Sequence, residues 1–212
     1  MDDFGAARRT MVDSQLRPEG VAAAAVVNAI AGLPREKFVP VAARALAYGD
    51  RAVPLGNGRT LAPPAVTGRL LSELEPRRGE RALVVGSATG YSAALLKALG
   101  LEVTALESDP ALAAMARAAS PDIELVEGDL AAGYPGAAPY DIILVDGAVD
   151  QIPQAIMAQL VEGGRIGAVI IDRGVGRLAV GRNSGGRVGL RTIADADVAP
   201  LPGFERPRAF TF

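Results

Sequence analysis

Four polar turns in the middle of the chain carry the residues that could do chemistry. Residues 86–90 are glycine-rich and follow a short apolar segment, Glu107 ends the next apolar segment, Asp129 follows the third, and Asp146 ends the fourth. Glycine permits a tight turn and the close approach of a ligand to the backbone. Carboxylates accept hydrogen bonds from hydroxyl and amino groups. If these turns meet in the fold, they could bind a nucleoside.

Composition limits the chemistry further. The chain has 212 residues, a net charge of −2, and neither cysteine nor histidine. Disulfides, thiolate nucleophiles, Cys/His zinc sites and Ser-His-Asp triads are therefore excluded, and we expect no metal site. The charge favours neither nucleic acid nor membrane as a partner, and the N-terminal sequence lacks a signal pattern, so we expect a cytoplasmic protein. The oligomeric state is not predictable.

The elements that must position these turns alternate between strand and helix. This alternation predicts an α/β fold with a Rossmann-like, mostly parallel, doubly wound sheet. Strands are predicted at residues 81–85, 101–106, 123–126, 140–145 and 165–171, and helices at 91–99, 111–118 and from Pro153 to Gly163. Residues after 175 predict hairpin strands around 183–186 and then a proline-rich tail.

The N-terminal third has a different character. Residues 1–76 predict a helical lobe, with helices at 6–16, at 21–30 and from position 63 or 64 onward. Between the last two, residues 48–64 form a glycine- and proline-rich loop. A loop of this length in a compact domain is unusual unless it serves a site. The predicted domains are therefore this lobe and a ligand-binding domain at 77–212.

Ligands of doubly wound sheets bind at the carboxyl ends of the strands. Gly86 and Gly90 fit a nucleoside site there, although many βα turns use glycine without a ligand. Glu107 lies 21 positions after Gly86, where a carboxylate accepts hydrogen bonds from ribose hydroxyls. The alternatives for Glu107 are a solvated loop acid and a charge at a helix N-terminus beside Asp109. Tyr91 replaces a glycine of the nicotinamide-dinucleotide motif and disfavours an oxidoreductase.

The two later acids each have two interpretations. Asp129 either accepts the exocyclic amine of an adenine or caps the segment 130–132. Asp146 is either an ordinary turn residue or an acid that faces the positive sulfonium of a methyl donor. Adenine and ribose without phosphate indicate S-adenosylmethionine as the cofactor.

The motif order resembles the protein-L-isoaspartate O-methyltransferases over nearly the whole chain. The matching blocks are MVDSQLRPEGV, AIAGLPREKFVP, LAYGDRAVPLGNGRTLAPP, GERALVVGSATGYSAALLKALGLEVTALESD and APYDIILVDGAVDQIPQAIMAQLVEGGRI. The resemblance implies that S-adenosylmethionine donates a methyl group to the isoaspartyl carboxylate of a damaged protein or peptide, which initiates repair. That carboxylate is already ionised at neutral pH, so no general base is needed.

The resemblance also implies roles for individual residues. The implied cofactor-binding residues lie in the turns after three strands: Gly86, Ser87, Gly90, Glu107, Ser108, Asp129 and Leu130. The implied catalytic residues are Thr60, Arg59 and Asp146. The implied substrate-side lobe is residues 1–76.

Some positions depart from the family pattern near the cofactor and in the active loop. Val84 stands where the family has an acid, and Ala88 stands at its middle glycine. The family loop Gly-Gln-Thr-Ile-Ser-Gln-Pro corresponds to residues 58–64, so Ala62 replaces the serine and Pro63 the second glutamine.

Two residues of the active loop have alternative interpretations, and Asp146 is a further departure from the family pattern. Arg59 replaces the first glutamine of the loop and is either a cation for an anionic substrate or a solvated side chain. Thr60 is either a substrate-binding or a turn hydroxyl. Asp146 stands at a common threonine, where its charge would repel a carboxylate.

These departures leave two alternatives to isoaspartyl repair. One is a degenerate family member that binds a nucleoside or a protein partner without turnover. The other is a methyltransferase for a different substrate, in which Asp146 serves as the base for a hydroxyl or amine.

Overall fold

The computed structural model describes residues 3–206, which contain nine strands. In chain order they are β1 (Val53–Gly56), β2 (Arg59–Leu61), β3 (Arg81–Val85), β4 (Glu102–Glu107), β5 (Glu124–Glu127), β6 (Tyr140–Val149), β7 (Leu160–Asp172), β8 (Val175–Ser184) and β9 (Arg187–Asp195). The last seven form one sheet in the order β5-β4-β3-β6-β7-β8-β9. Strands β3 to β7 pair in parallel, and β8 and β9 add antiparallel pairs. The predicted mostly parallel, Rossmann-like fold is confirmed.

Helices cover both faces of this sheet. They are α1 (Phe4–Met11), α2 (Ala24–Gly32), α3 (Pro64–Leu74), α4 (Tyr91–Ala98), α5 (Pro110–Ala119) and α6 (Gln154–Met157), and a π-helical segment at Val12–Leu16 continues α1. Proline at the first helical position of α3 and α5 fits their starts, because its missing N–H has no partner there.

The central strands alternate their side chains between two hydrophobic clusters. Val84 of β3 packs in a cluster shared with the N-terminal helices, which contribute Met11 and Ile30. Leu83 and Val85 face the other cluster. A fully buried strand has apolar residues on both faces, so the run at 81–85 was readable as a strand. The N-terminal lobe shares this core, and the domain boundary at residue 76 stays a prediction.

The loop predicted at 48–64 contains a hairpin, which corrects that prediction. β1 and β2 pair antiparallel, and Gly56 lies opposite Arg59. The two turn residues, Asn57 and Gly58, have φ values of +49° and +73°. Asn-Gly is the preferred pair for a two-residue turn of this kind. The Asn-Gly dipeptide was the sequence signal for this hairpin. The flanking strands, of only four and three residues, are too short to be recognised by their pattern.

Two boundaries after β5 were also wrong. The fourth parallel strand does not end at Val145 but continues to Val149, so Asp146 lies inside β6 and is not a turn residue. The helix after Pro153 has one turn, and β7 begins at Leu160. Ile156 and Leu160 are buried as a helical stripe would be, but Leu160 pairs with Tyr140 of β6.

The C-terminal part of the described chain contains the last hairpin and the start of the proline-rich tail. The predicted hairpin around 183–186 is confirmed, since Ser184 lies opposite Arg187. The proline-rich tail is described only to Arg206, and residues 207–212 lie outside the described part.

Within residues 3–206, no helix has the length and apolar character needed to cross a membrane.

Candidate active site

The turn after β3 has the backbone geometry of a glycine-rich ligand loop. Gly86, Ala88 and Gly90 have φ values of +73°, +49° and +86°. Alanine rarely adopts this left-handed region, because its Cβ crowds the following carbonyl. The amides of Gly86 and Ser87 both donate to the Leu106 carbonyl of β4, at 2.9 and 3.0 Å. This turn therefore lies directly beside the carboxyl end of β4.

Glu107 ends β4 and is fully buried. Its Oε2 accepts a hydrogen bond from the Ala88 amide at 2.6 Å. Its Oε1 accepts hydrogen bonds from the amides of Ser108 and Asp109, at 2.8 and 3.0 Å. Three amides therefore hold this carboxylate against the glycine-rich turn. The alternative of a solvated loop acid is wrong.

A fourth donor to Glu107 comes from the β1–β2 hairpin. Arg59 Nη1 lies 2.8 Å from Glu107 Oε1, and Arg59 Nη2 donates to the Gly86 carbonyl at 2.8 Å. Only 5% of Arg59 is exposed. The alternative of a solvated side chain is therefore wrong, because Arg59 is the buried counter-ion of Glu107. A role of Arg59 toward a substrate stays a prediction.

The hairpin is attached to the sheet domain at a second point. Asn57 Nδ2 donates to Asp109 Oδ2 at 2.6 Å. This bond is the main cause that lowers the pKa of Asp109. Asp109 also caps α5 by accepting from the amides of Ala111 and Leu112. Asn57 and Arg59 thus place the hairpin across the end of β4.

The C-terminal segment reaches the same place from the other side. The Ala148 amide of β6 donates to the Ala199 carbonyl at 3.0 Å, and the Leu201 amide donates to the Ala148 carbonyl at 2.8 Å. Leu201 is 2% exposed. A Cβ at Gly86 would lie 2.9 Å from both Leu201 methyl carbons, and one at Gly147 would lie closer still. The Leu201 side chain therefore fills the space that these two glycines leave open.

Asp146 lies on β6 beside this segment and is half-buried. Burial raises the pKa of Asp146 from 3.8 to about 6, and the positive charges of Arg59 and Arg35 limit the rise. Ionisation of Asp146 in the folded protein therefore costs free energy. Its predicted roles, facing a sulfonium or acting as a base, stay predictions.

Arg35 is a residue of this region to which sequence reasoning gave no role. It is fully buried, and burial lowers its pKa. Its guanidinium lies 4.7 Å from the centre of the Tyr91 ring, and its Nε donates to the Ala47 carbonyl at 2.7 Å. Nη2 donates to the carbonyl of Ala62 in the active loop. In the block LPREKFVP, Arg35 is the first of three consecutive charged residues, and no signal marks it as the buried one.

Several buried polar atoms around the turn have no hydrogen-bond partner within the described residues. They are Thr60 Oγ1, Ser87 Oγ, Ser92 Oγ, the Tyr91 hydroxyl and Arg35 Nη1. A buried polar group without a partner costs free energy, and such groups often mark a functional site. The predicted site residues Thr60 and Ser87 are both among them.

Of the remaining predicted residues, Asp129 and Ser108 are exposed and Leu130 is buried. Asp129 is exposed and accepts from the Ala131 amide at 2.9 Å. The capping alternative for Asp129 is therefore confirmed, and the adenine contact stays a prediction. Leu130 is buried, whereas Ser108 is exposed. Ser108 borders a cleft of about 540 Å³ that is also lined by Asn57, Arg59, Asp109, Pro110, Ala111 and Pro202.

The arrangement around Glu107 does not fit an adenosyl group as it stands. The predicted ribose contact uses the Glu107 oxygens, of which Oε1 already accepts from two amides and Arg59, and Oε2 from the Ala88 amide. The backbone of Gly86 would have to be open to the ligand, and the side chain of Leu201 lies on it. An adenosyl group that used Glu107 Oε1 and the Gly86 backbone would therefore compete with Arg59 and Leu201.

A family model and the curated relatives that match this chain all name the same family of enzymes. The family model described as protein-L-isoaspartate(D-aspartate) O-methyltransferase matches residues 7–193. A protein-L-isoaspartate O-methyltransferase of Koribacter versatilis is 36% identical over 205 residues, which cover 94% of this chain and 92% of that protein. One from Methylorubrum extorquens is 42% identical over 168 residues, covering 77% and 74%.

Solved structures support the fold. A protein-L-isoaspartate O-methyltransferase matches with a TM-score of 0.80 and 22% identity, covering 92% of this chain and 66% of that chain. A Plasmodium falciparum protein described as such an enzyme, in complex with S-adenosyl-L-homocysteine, matches with a TM-score of 0.80 and 18% identity, covering 92% and 97%. The family uses S-adenosylmethionine, and the resemblance drawn from the motifs is confirmed: the chain belongs to the protein-L-isoaspartate O-methyltransferase family.

Proposed function

We propose that the protein is a methyltransferase that uses S-adenosylmethionine to methylate isoaspartyl carboxylates of damaged proteins. The observation that carries this proposal is the family match over residues 7–193. Gly86 and Glu107 lie at the carboxyl ends of the neighbouring parallel strands β3 and β4, and Asp146 lies on β6 just past its last pair with β3. These positions support the proposal, because ligands of such sheets bind there. A cytoplasmic location is part of the proposal.

The active-site residues suit an acceptor that is already charged. A carboxylate is ionised at neutral pH, so it needs no general base. The chain would have to orient this carboxylate and keep water away. Thr60 has a buried hydroxyl that finds no partner among residues 3–206, which supports a role in binding the acceptor. Buried Arg35 contributes positive charge behind the active loop.

A second candidate is a family member that has lost turnover. The specific observation in its favour is that Arg59 and Leu201 occupy the positions a cofactor would need. Ala62 adds to it, since the resemblance places a serine hydroxyl at this position. In this case the protein would keep the fold and act through a partner.

Transfer of labelled methyl from S-adenosylmethionine to a synthetic isoaspartyl peptide distinguishes the two candidates. The same peptide with normal aspartate is the substrate control. Label on the isoaspartyl peptide alone supports the methyltransferase. Absence of label on both peptides at micromolar enzyme would contradict it and favour the second candidate.

A pair of variants tests the active loop in the same assay. Ala62→Ser restores the hydroxyl that the family resemblance implies, and we expect it to increase isoaspartyl methylation. Ala65→Ser, at the second residue of α3, is the matched control and should leave the rate unchanged. An unchanged rate in Ala62→Ser would show that a different group holds the acceptor.

A further inference from the structure

The geometry points to an intramolecular stopper in the cofactor cleft. Arg59 and Leu201 occupy the ribose-binding carboxylate and the glycine-rich turn, and both must leave before an adenosyl group binds. This inference rests on the proposed function, because it names what competes with the cofactor for its own site. The stopper comes from two different parts of the chain, the β1–β2 hairpin and the C-terminal segment.

Arg59 competes through charge. Glu107 is a fully buried carboxylate, and Arg59 Nη1 is its only counter-ion within 4 Å among the described residues. A buried charge is tolerated when it is paired and hydrogen-bonded. Ribose hydroxyls are neutral donors, so they replace the hydrogen bond of Arg59 but not its charge. Binding of a nucleoside therefore has to overcome an ion pair that is already formed.

Leu201 competes through volume. Its side chain is buried and lies against Gly86 and Gly147, where even one added carbon would clash. A ligand that needs close approach to the Gly86 backbone needs the same space. Glycine at such a position usually leaves room for a ligand, and here the protein's own leucine uses that room.

Neither part of the stopper belongs to a strand of the seven-stranded sheet, since β1 and β2 form a separate two-stranded sheet. Across the cleft the hairpin is held by the Asn57–Asp109, Arg59–Glu107 and Arg59–Gly86 contacts. The C-terminal segment is held by two backbone hydrogen bonds to Ala148, by hydrogen bonds between Arg206 and Asp150, and by the buried side chains of Leu201 and Phe204. The adjoining cleft of about 540 Å³ lies next to Arg59 and gives a ligand an entry point.

Titration calorimetry of the full chain with S-adenosyl-L-homocysteine tests the stopper. The proteins compared are wild type, Arg59→Gln, which restores the glutamine implied by the family resemblance, and Leu201→Ala. We expect each variant to bind about tenfold more tightly than wild type, since a lost charged hydrogen bond or buried leucine contact is of that order. The double variant should bind more tightly than either.

Two matched controls separate this effect from a general loss of charge or leucine. Arg191→Gln removes an arginine from an exposed pair with Glu73, and Leu190→Ala truncates a half-exposed leucine on β9. Both should bind as wild type does. Circular dichroism and thermal melts establish that each variant is folded. If Arg59→Gln does not fold, Leu201→Ala decides, because it leaves the ion pair intact.

The outcomes distinguish the stopper from the proposed function. If wild type and both variants bind with equal, micromolar affinity, the stopper is overturned and the methyltransferase proposal stands. If no protein binds, including the double variant, both are overturned. Tighter binding by Arg59→Gln or Leu201→Ala alone, with unchanged controls, supports the stopper.

Discussion

Two buried arginine–glutamate pairs lie at opposite ends of the same sheet. Arg59 and Glu107 meet at the carboxyl end of β4. Arg165 and Glu80 meet at the other end, where Glu80 precedes β3 and Arg165 lies early in β7. Both pairs are largely shielded from water, and both join segments that are far apart in the sequence.

The pair at the amino end makes more hydrogen bonds than the pair at the carboxyl end. Arg165 contacts both Glu80 oxygens, at 3.0 and 2.6 Å. It also donates to the carbonyls of Leu74 and Glu75, at 2.8 and 3.2 Å, and so satisfies the end of α3. Arg59 contacts one oxygen of Glu107 and one backbone carbonyl.

The comparison shows that the position of an ion pair in the sheet decides whether it only stabilises the fold or also lies in a ligand site. At the amino end of the strands no ligand of an α/β sheet is expected, so an ion pair there only stabilises the fold. At the carboxyl end, where ligands bind, an ion pair occupies a site. Variants at the two ends of the sheet should therefore differ in their effects on stability and on ligand affinity.

The largest expected effect separates the two pairs by stability. Arg165→Met removes four hydrogen bonds, and we expect the free energy of unfolding to fall by about 4 kcal/mol. Arg59→Met leaves Glu107 with three amide donors, so we expect a smaller fall of about 2 kcal/mol. Urea unfolding at pH 7 measures both. Equal losses would show that the amides do not compensate.

The second prediction concerns pH, because acids at the two ends have pKa shifts of opposite sign. Burial raises the pKa of Asp146 to about 6 in the folded protein, above 3.8 when unfolded. The folded state therefore binds more protons between these values, and stability falls as the pH rises from about 4 to about 6, by up to about 3 kcal/mol. Asp146→Asn should abolish this decline, and the exposed Asp122→Asn should retain it.

Glu80 should act in the opposite direction. Burial alone raises the pKa of Glu80, but hydrogen bonds from Arg165 and the Arg77 amide outweigh it, so the pKa lies below 4.5. Its contribution to stability is present above that value and is lost as the pH falls through the folded pKa. Thermal melts of Glu80→Gln between pH 3 and 7 should lose this acid-dependent part. A pH profile identical to wild type would contradict the assignment.

A smaller effect is expected from the hairpin contact at the carboxyl end. Asn57→Gly keeps the positive φ of the turn but removes the bond to Asp109, and we expect a loss of about 1 kcal/mol at most. Affinity for S-adenosyl-L-homocysteine should rise, because the hairpin opens more readily. Ser184→Gly in the β8–β9 hairpin is the control. Unchanged affinity in Asn57→Gly would mean that this contact does not hold the cleft closed.

The smallest effect comes from a strained residue beside each pair. Glu75, whose carbonyl accepts from Arg165, and Ala88, whose amide donates to Glu107, have φ values of +47° and +49°. Glycine relieves this strain but loses chain entropy, so Glu75→Gly and Ala88→Gly should each stabilise by about 0.5 kcal/mol. Ala93→Gly inside α4 should destabilise instead. Only Ala88→Gly should change the affinity for S-adenosyl-L-homocysteine.

The sequence predicted what depends on local patterns. The apolar run at 81–85 and the position of Glu107 at the end of β4 follow from the alternation of strand and helix, and both are confirmed. The family followed from the order of its motifs. These features repeat along the chain within a few residues of one another, so a single sequence contains enough signal.

The contents of the cleft could not be predicted in this way. Arg59 and Glu107 are 48 residues apart, and their contact depends on a short hairpin whose strands have no clear periodicity. Leu201 lies in a proline-rich segment that resembles a tail. Which side chain fills a space is decided by tertiary packing, and no pattern of neighbours in the sequence records it.

Crystal structures of wild type and Arg59→Gln, each soaked with the same millimolar concentration of S-adenosyl-L-homocysteine, test the central claim most directly. That claim is that the Arg59–Glu107 pair and the ribose share one place. In the variant we expect the ribose hydroxyls on Glu107 and Leu201 displaced from Gly86. An adenosyl group bound in wild type with Arg59 still on Glu107 and Leu201 still on Gly86 would contradict it.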